Sequence, residues 1–370
     1  MHRLQFHYRL SRQPDLTPQL HNELMRLLRA VANGGSISAA ARALGLSYRH
    51  VWGELRRWEV ELGGQLVQWE KGQRARLSEL GDKLLWAEAQ AQARLAPQIE
   101  ALRAELERGF AIAFDAQTHV VTLAASHDHA LTALREHALS AATAHVRVHL
   151  DIRFCGSVDA IRALNEGRCT LAGFHLPSQP QPGSLAEQTY RPLLQPGLHK
   201  LIGFATRSQG LMVAPGNPLR LHSLADVVTR SARFVNRTLG SGTRLLLDAM
   251  LAEGGLSAEQ LHGYTRTEST HTAAAHAVLA GQADVALGTA AAAQACALDF
   301  VPLLQEDYHL VCLKSELEQP SMQALLRLLY DDAWTQRLQA LAGYRAAQPG
   351  QVQSLRALLP WWTFVRKKRR

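Results

Sequence analysis

Cysteine is scarce in this chain of 370 residues: Cys155, Cys169, Cys296 and Cys312, with no Cys-x-x-Cys pair among them. That excludes a zinc ribbon and a secreted disulfide framework, and reduced thiols in a cytoplasm are the plain reading. Runs of about 18 apolar residues are missing, so no membrane-spanning helix is expected. The opening stretch MHRLQFHYRLSRQPD has no apolar signal-peptide core, and a cytoplasmic protein with no membrane partner is expected. There is no internal repeat, no low-complexity tract and no Walker loop. The 17 histidines form no spaced metal motif, and His127-Asp128-His129 reads as a solvent-facing turn rather than a set of ligands. No metal site, no cofactor and no persuasive nucleophile–base pair are read, which argues against an enzyme.

What is present is a 47% hydrophobic content spread along a chain long enough for two or three domains, and a net charge of +8. A basic balance favours an anionic partner: nucleic acid, a membrane surface or an anionic ligand. Near the start, Leu24, Leu27, Leu28 and Val31 stand at helical spacing, and Gly34-Gly35 ends that helix. Ser36 caps a short second helix, ISAAARAL; Gly45 turns the chain; Ser47 caps a third, YRHVWGELRRWEVEL. Val51, Leu55, Trp58 and Leu62 fall on the core face of this third helix, and Tyr48, Arg49, His50 and Trp52 surround its exposed beginning. A short helix, a glycine turn and a longer helix form a helix-turn-helix pattern, in which the start of the second helix reaches base edges in the major groove. Arg56 and Arg57, farther along, fit phosphate contacts, and Ser36 and Ser47 belong to the same DNA-facing set. Residues 66–69 and 75–77 read as two short strands around Lys71-Gly72-Gln73-Arg74, a basic wing in which Lys71 and Arg74 face phosphate. A helix over 79–110 follows, interrupted only by Pro97, with Leu84, Leu85, Ala91, Leu95, Ile99, Leu102 and Leu106 as its apolar face. That face predicts a dimer seam. The alternative is a plain three-helix bundle with solvated arginines.

GSISAAARALGLSYRHVWGELRRWEVELGGQLV resembles the N-terminal domains of LysR-type and ModE-type regulators. Ser47, Tyr48 and Trp52 look like ModE; Trp58-Glu59, Glu61-Leu62-Gly63 and the wing over 73–77 are shared more broadly with LysR types. The resemblance covers about residues 20–105. It implies a winged-helix domain over 1–78 that binds double-stranded operator DNA, a linker helix over 79–110, and a homodimer or homotetramer.

From residue 118 the pattern alternates between strand and helix, which implies an α/β domain with ligands at the C-terminal ends of its strands. LIGFATRSQGLMVAPGNP reads as two apolar runs separated by a Ser-Gln-Gly turn, DFVPLLQEDYHLVCLK as two strands, and 319–346 as helical. Within FVNRTLGSGTRLLLD a buried strand enters a turn of Gly240, Ser241, Gly242, Thr243 and Arg244, and a helix leaves it. The glycines let the backbone turn and a ligand approach, the helix N-terminus suits an anion, Ser241 and Thr243 offer hydroxyls, and Arg244 a full charge. The alternative is a helix cap with no ligand. Ser126, Gly156-Ser157 and Thr270-His271-Thr272 stand in similar turns, and converging helix N-termini with neutral donors make an anion cradle.

FVNRTLGSGTRLLLD, with THTAAAHAVLAGQADVALG after it, resembles the periplasmic-binding-protein-like domain related to molybdate-binding proteins, over about residues 118–345. The resemblance implies ligand contacts from Ser126, Ser157, Gly240, Ser241, Gly242, Thr243, Arg244, Thr272 and Thr289. Thr289-Ala290 stands where molybdate transport proteins can place a tyrosine. The expected fold is α+β and multidomain: a winged helix-turn-helix, a long linker helix, a two-lobed periplasmic-binding-protein-like domain over 111–350, and a basic tail over 351–370. The expected function is a one-component transcription regulator answering a small anion, molybdate or tungstate, with formate as the alternative effector and formate dehydrogenase genes as the target that alternative implies. The two rivals are an enzyme of molybdenum-cofactor metabolism and a transport binding protein.

Overall fold

The computed structural model describes residues 22–68, 75–114, 118–141 and 147–362. The wing tip, with Lys71 and Arg74, and the basic end at 366–370 lie outside the described residues. Two compact units divide within one helix, at residues 96 and 97.

In the first unit, α1 (Glu23–Gly34), α2 (Ile37–Leu44) and α3 (Tyr48–Leu62) each begin at a side-chain cap, from Asn22, Ser36 and Ser47, and each end at a glycine in the left-handed region. Leu24, Leu27, Leu28, Val31, Val51 and Leu55 form their shared core. The wing is present as β1 (Val67–Gln68) paired antiparallel with β2 (Arg76–Leu77). Glu59 ties it to α3: its buried carboxylate accepts from the backbone N–H groups of Leu66 and Val67 at 2.8 and 3.3 Å. The long helix α4 runs over Glu79–Phe114, past the expected end at 110, with Pro97 inside it. Ala93 and Ala104 are buried along it, whereas Leu95, Leu102 and Leu106 are exposed.

The second unit is built on one sheet. Parallel β3 (His119–Ala125), β4 (Val148–Phe154) and β5 (Leu171–Pro177) alternate with α5 (His129–Ala141) and α6 (Ser157–Asn165), and α7 (Leu185–Tyr190) follows. After β6 (His199–Val213) come α8 (Leu224–Thr229), β7 (Phe234–Arg237), α9 (Gly242–Glu253), β8 (Thr267–Glu268), α10 (His271–Leu279), β9 (Val285–Thr289) and α11 (Ala290–Ala295). The chain returns through β10 (Asp299–Leu313), α12 (Pro320–Tyr330), α13 (Asp332–Gln339), β11 (Tyr344–Ala346), β12 (Val352–Ser354) and α14 (Leu355–Leu358). The strand order β4-β3-β5-β10-β6-β9-β7-β8 puts the first three strands on one side of the β6/β10 pair and the last three on the other. Separate apolar cores flank the two halves, so they are two lobes, and β6 and β10 run through both. Arg207 of β6 stands opposite Glu306 of β10 midway along that shared ribbon.

Four expectations need correction. β6 is continuous through Ser208-Gln209-Gly210, because Gly210 marks a close approach rather than a turn: a Cβ there would strike the Val301 carbonyl. β10 is one strand with irregularities at Pro302/Leu304 and Tyr308/His309. Residues 344–346 form a strand on β6 rather than helix. The stretch 352–362 is not tail: β12 pairs with β6, because the apolar Leu355, Leu359 and Trp361 are buried in the core of the first lobe and anchor it there. Among the described residues no helix is long and apolar enough to cross a membrane.

Candidate functional site

On the first unit, the start of α3 is open. Tyr48, Arg49, His50 and Trp52 are all exposed, with Tyr48 at 53% and Trp52 at 41%. Ser36 and Ser47 spend their hydroxyls on capping, accepting from Ala39 and His50 N–H at 3.0 and 3.1 Å, so they set the pose of α2 and α3. Arg56 pairs with Glu59 at 3.1 Å and Arg57 with Glu54 at 2.6 Å. Both arginines are exposed, so these pairs contribute little and can be exchanged for phosphate.

In the second unit, turns from the two lobes meet. Gly156 and Ser157 at the start of α6, and His175 on β5, come from the first lobe; Gly240 and Gly242 at the start of α9 come from the second. A Cβ on Gly156 would sit 2.5 Å from the Gly240 carbonyl, and one on Gly242 would sit 3.3 Å from the His175 Cβ and 3.5 Å from the Ser157 Oγ. Only Gly240 uses the left-handed region, at φ 83°; Gly242 is the first residue of α9 and needs its missing side chain for space alone. The Ser241 hydroxyl caps α9 by accepting from Arg244 N–H at 3.3 Å. Thr243 is buried, its Oγ1 accepting from Gln209 Nε2 at 3.1 Å and lying 3.4 Å from His271 Nε2.

The remaining expected contacts divide. Ser126 and Ser157 place buried hydroxyls with no hydrogen-bond partner, Ser157 fully enclosed. Thr289 caps α11 and Thr270, not the half-buried Thr272, caps α10. Arg244 does not bring its charge to the turn. Its guanidinium stacks on the Tyr264 ring at 3.8 Å and pairs with Asp248 at 3.3 Å, one helical turn away on the same face.

A buried polar chain threads from one lobe to the other. Arg207 binds Asp128 and also Glu306, the latter at 2.8 Å; Tyr344 donates to Asp128 at 2.9 Å. Gln209 then links Glu306 to Thr243 at 3.0 and 3.1 Å. Burial alone would raise the Asp128 pKa, but the Arg207 guanidinium and His175 hold it far below the usual carboxylate range. His127-Asp128-His129 is therefore not a solvent-facing turn: Asp128 is fully buried, because Arg207 needs its carboxylate. Arg237, at the end of the FVNR strand, is buried as well, and its guanidinium donates to the carbonyls of Glu268 and Ser269 at 3.2 and 2.8 Å. Burial, with Arg207 nearby, lowers its pKa to about 9. His271 is held neutral by burial and by Arg237 and Arg207.

This two-lobed domain can now be set beside known proteins. Residues 124–330, more than half of the chain, match the PBP superfamily domain, and residues 22–82 match the bacterial regulatory helix-turn-helix protein of the lysR family. The chain belongs to the PBP superfamily. It carries a LysR-family helix-turn-helix domain in front. The uncharacterized protein YvgK of Bacillus subtilis is 30% identical over 200 residues, 54% of this chain and 64% of YvgK, so the match spans less than two thirds of that relative. An uncharacterized protein from the 5' region of a 2Fe-2S ferredoxin gene in Clostridium pasteurianum is 30% identical over 109 residues, 29% of this chain and 96% of that one. A solved mutant of OxyR from Corynebacterium glutamicum is 17% identical with a TM-score of 0.42, covering 89% of this chain and 95% of its own.

The residues missed by the sequence pattern lie in one turn and in strands. Asp128 was passed over inside a His-x-His turn, and Arg207, Gln209 and Glu306 sit in β6 and β10 where strand polarity looks like an exposed face. Arg237 carried a signal, a charged residue closing the apolar pair Phe234-Val235 ahead of the glycine turn. Among the described residues no group of three or more His, Cys, Asp or Glu side chains could hold a metal ion.

Proposed function

We propose that this protein is a one-component transcription regulator: the helix-turn-helix unit binds a two-fold-related operator, and the PBP-like domain takes a small anion between its lobes and changes operator binding. In this reading Tyr48, Arg49, His50 and Trp52 face base edges, while Arg56, Arg57, Lys71 and Arg74 face phosphates. The exposed leucines of α4 make a homodimer or homotetramer seam, and the cytoplasm is the compartment.

One observation carries the anion reading. The N-terminal ends of α6 and α9 converge on buried Ser157 and His175, whose side-chain polar atoms have no hydrogen-bond partner. Buried polar groups need a partner, which a ligand between the lobes can supply, and helix N-termini favour negative charge. Ser47, Tyr48 and Trp52 resemble ModE, and the GSGTR turn resembles molybdate-binding proteins, so molybdate or tungstate is the first effector we propose. A second reading, formate, is favoured by the charge balance: Arg207 and Arg237 against Asp128 and Glu306 cancel formally, which suits a monoanion. Formate as effector would place formate dehydrogenase genes under this regulator.

A thermal-shift series with molybdate, tungstate, formate and sulfate tests the reading. A ligand held only by the native state at 100 times its Kd stabilises by about 2.7 kcal/mol, enough to raise Tm. Molybdate or tungstate alone raising Tm supports the first effector, and formate alone the second; no shift with any of them contradicts an anion site.

A further inference from the structure

The convergence of α6 and α9 does not present only neutral donors. His175 stands in the middle of it, its side chain buried, with both ring nitrogens lacking a hydrogen-bond partner. Nε2 is 3.7 Å from the Asp128 carboxylate. Nδ1 lies 3.6 Å from where a Gly242 Cβ would be, beside Ser157 Oγ at 3.5 Å from the same point. Asp128 is a carboxylate committed to Arg207, and its charge beside Nε2 favours the single proton of a neutral imidazole on that nitrogen. Nδ1 is then left with a lone pair facing the glycine turn. A lone pair aimed at an oxyanion repels it; a proton on that nitrogen turns the contact into a charge-assisted hydrogen bond.

We propose that His175 contacts the bound oxyanion through Nδ1, and that the site takes up one proton from solvent with each anion. This rests on the anion reading above and adds to it a specificity residue. The groups facing His175 set the balance. Tyr308 of β10 stacks on its ring at 3.9 Å. Arg207 of β6 opposes a second positive charge, while Asp128 before α5 and Glu306 of β10 favour it, and His271 of α10 is held neutral. His309, next on β10, is kept neutral by burial, and Tyr190 of α7 remains a neutral phenol. In the unliganded site burial and Arg207 hold His175 neutral, its pKa below the ordinary histidine value. A bound anion replaces water and adds the negative charge that makes the imidazolium favourable. The chemistry selected is a small oxyanion that accepts a hydrogen bond at this position. A ligand offering a hydroxyl donor would instead satisfy the lone pair with no proton taken up.

The test is titration calorimetry of the full chain with molybdate, formate and sulfate, each in two buffers of different ionisation enthalpy at about pH 7.5. Buffer dependence should report uptake of about one proton per anion bound, and affinity should fall about tenfold per unit rise in pH between about pH 7 and 8. His175→Gln, which keeps a hydrogen-bonding side chain but cannot titrate, should bind with uptake near zero and a flat pH profile. His309→Gln, a buried histidine outside the turn, should keep the uptake. Binding by the unaltered protein with no proton uptake overturns the proposal, whatever the variants do, and leaves the anion reading standing. Uptake retained in His175→Gln overturns it equally. No binding of any of the three anions overturns both.

Discussion

Replacing Gly242 with alanine separates two roles of the glycine turn. Gly242 is the first residue of a twelve-residue helix and has no positive φ, so alanine is compatible with its backbone and gains at most about 0.5–1 kcal/mol of helix preference. The obstacle is across the cleft. The new methyl would stand 3.3 Å from the His175 Cβ, tight enough that the opposite lobe must give by a few tenths of an ångström, and 3.5 Å from Ser157 Oγ, an ordinary contact. Overfilling a packed contact by a methyl costs about 1–3 kcal/mol. The methyl also takes up space beside Ser157 and His175 that a ligand would use, so effector affinity should drop about 5- to 150-fold. The same contact is present without effector, so the melting temperature should fall too, and affinity is compared at a temperature where the variant is folded. Gly240→Ala is the counterpart: φ is 83° and the space around it is open, so it should lower Tm through about 1–2 kcal/mol of backbone strain and leave effector affinity unchanged. Anion titrations followed by intrinsic fluorescence, with melting curves beside them, read both quantities. Unchanged effector affinity in Gly242→Ala would refute the claim that α9 closes against Ser157 and His175 over the ligand.

Arg49→Ala should weaken operator binding by about 1–3 kcal/mol and relax preference at one base position in a binding-site selection; full affinity would remove Arg49 from the readout surface. Arg207→Met leaves Asp128 and Glu306 buried without their cation and should cost about 3–5 kcal/mol in a denaturant titration, a loss under about 1 kcal/mol contradicting the buried chain. Acid should destabilise the second unit: burial holds His129 and His309 near a pKa of about 4 when folded, against about 6.5 unfolded, so the unfolded chain binds more protons in between, and stability present above pH 6.5 is lost as pH falls towards about 4. A flat denaturation midpoint over that range would contradict it. Leu102→Asp, on the exposed face of α4, should shift the sedimentation profile of the full chain towards monomer, and an unchanged profile would move the seam elsewhere.

The helical head was legible because caps, apolar spacing and glycine stops all act within a few residues: Ser36, Ser47, Gly45 and Gly63 sit where local rules put them. The strand–helix alternation and the glycine turn were legible for the same reason. What was not legible is long-range. Asp128 and Arg207 are 79 residues apart, and Arg207 and Glu306 are 99 apart, so nothing near any of them shows that each buries the other's charge. Arg244 was misread because a charge beside a glycine turn looks aimed into it, whereas Asp248 and Tyr264 hold it. The split of β6 and β10 into four strands followed from taking Gly210 and the polar middle of each strand as turns, when that polarity faces a buried partner.

The central claim is that an anion between the lobes changes how the helix-turn-helix unit holds DNA. The direct measurement is fluorescence anisotropy of an operator fragment, selected by the full-length protein from randomised DNA, with and without saturating molybdate or formate at fixed ionic strength. The account predicts a shift in operator affinity of about 5- to 150-fold for whichever anion raises Tm, corresponding to about 1–3 kcal/mol of coupling, with the response displaced to higher anion concentration in Gly242→Ala. Identical operator affinity with and without an anion that demonstrably binds would contradict it.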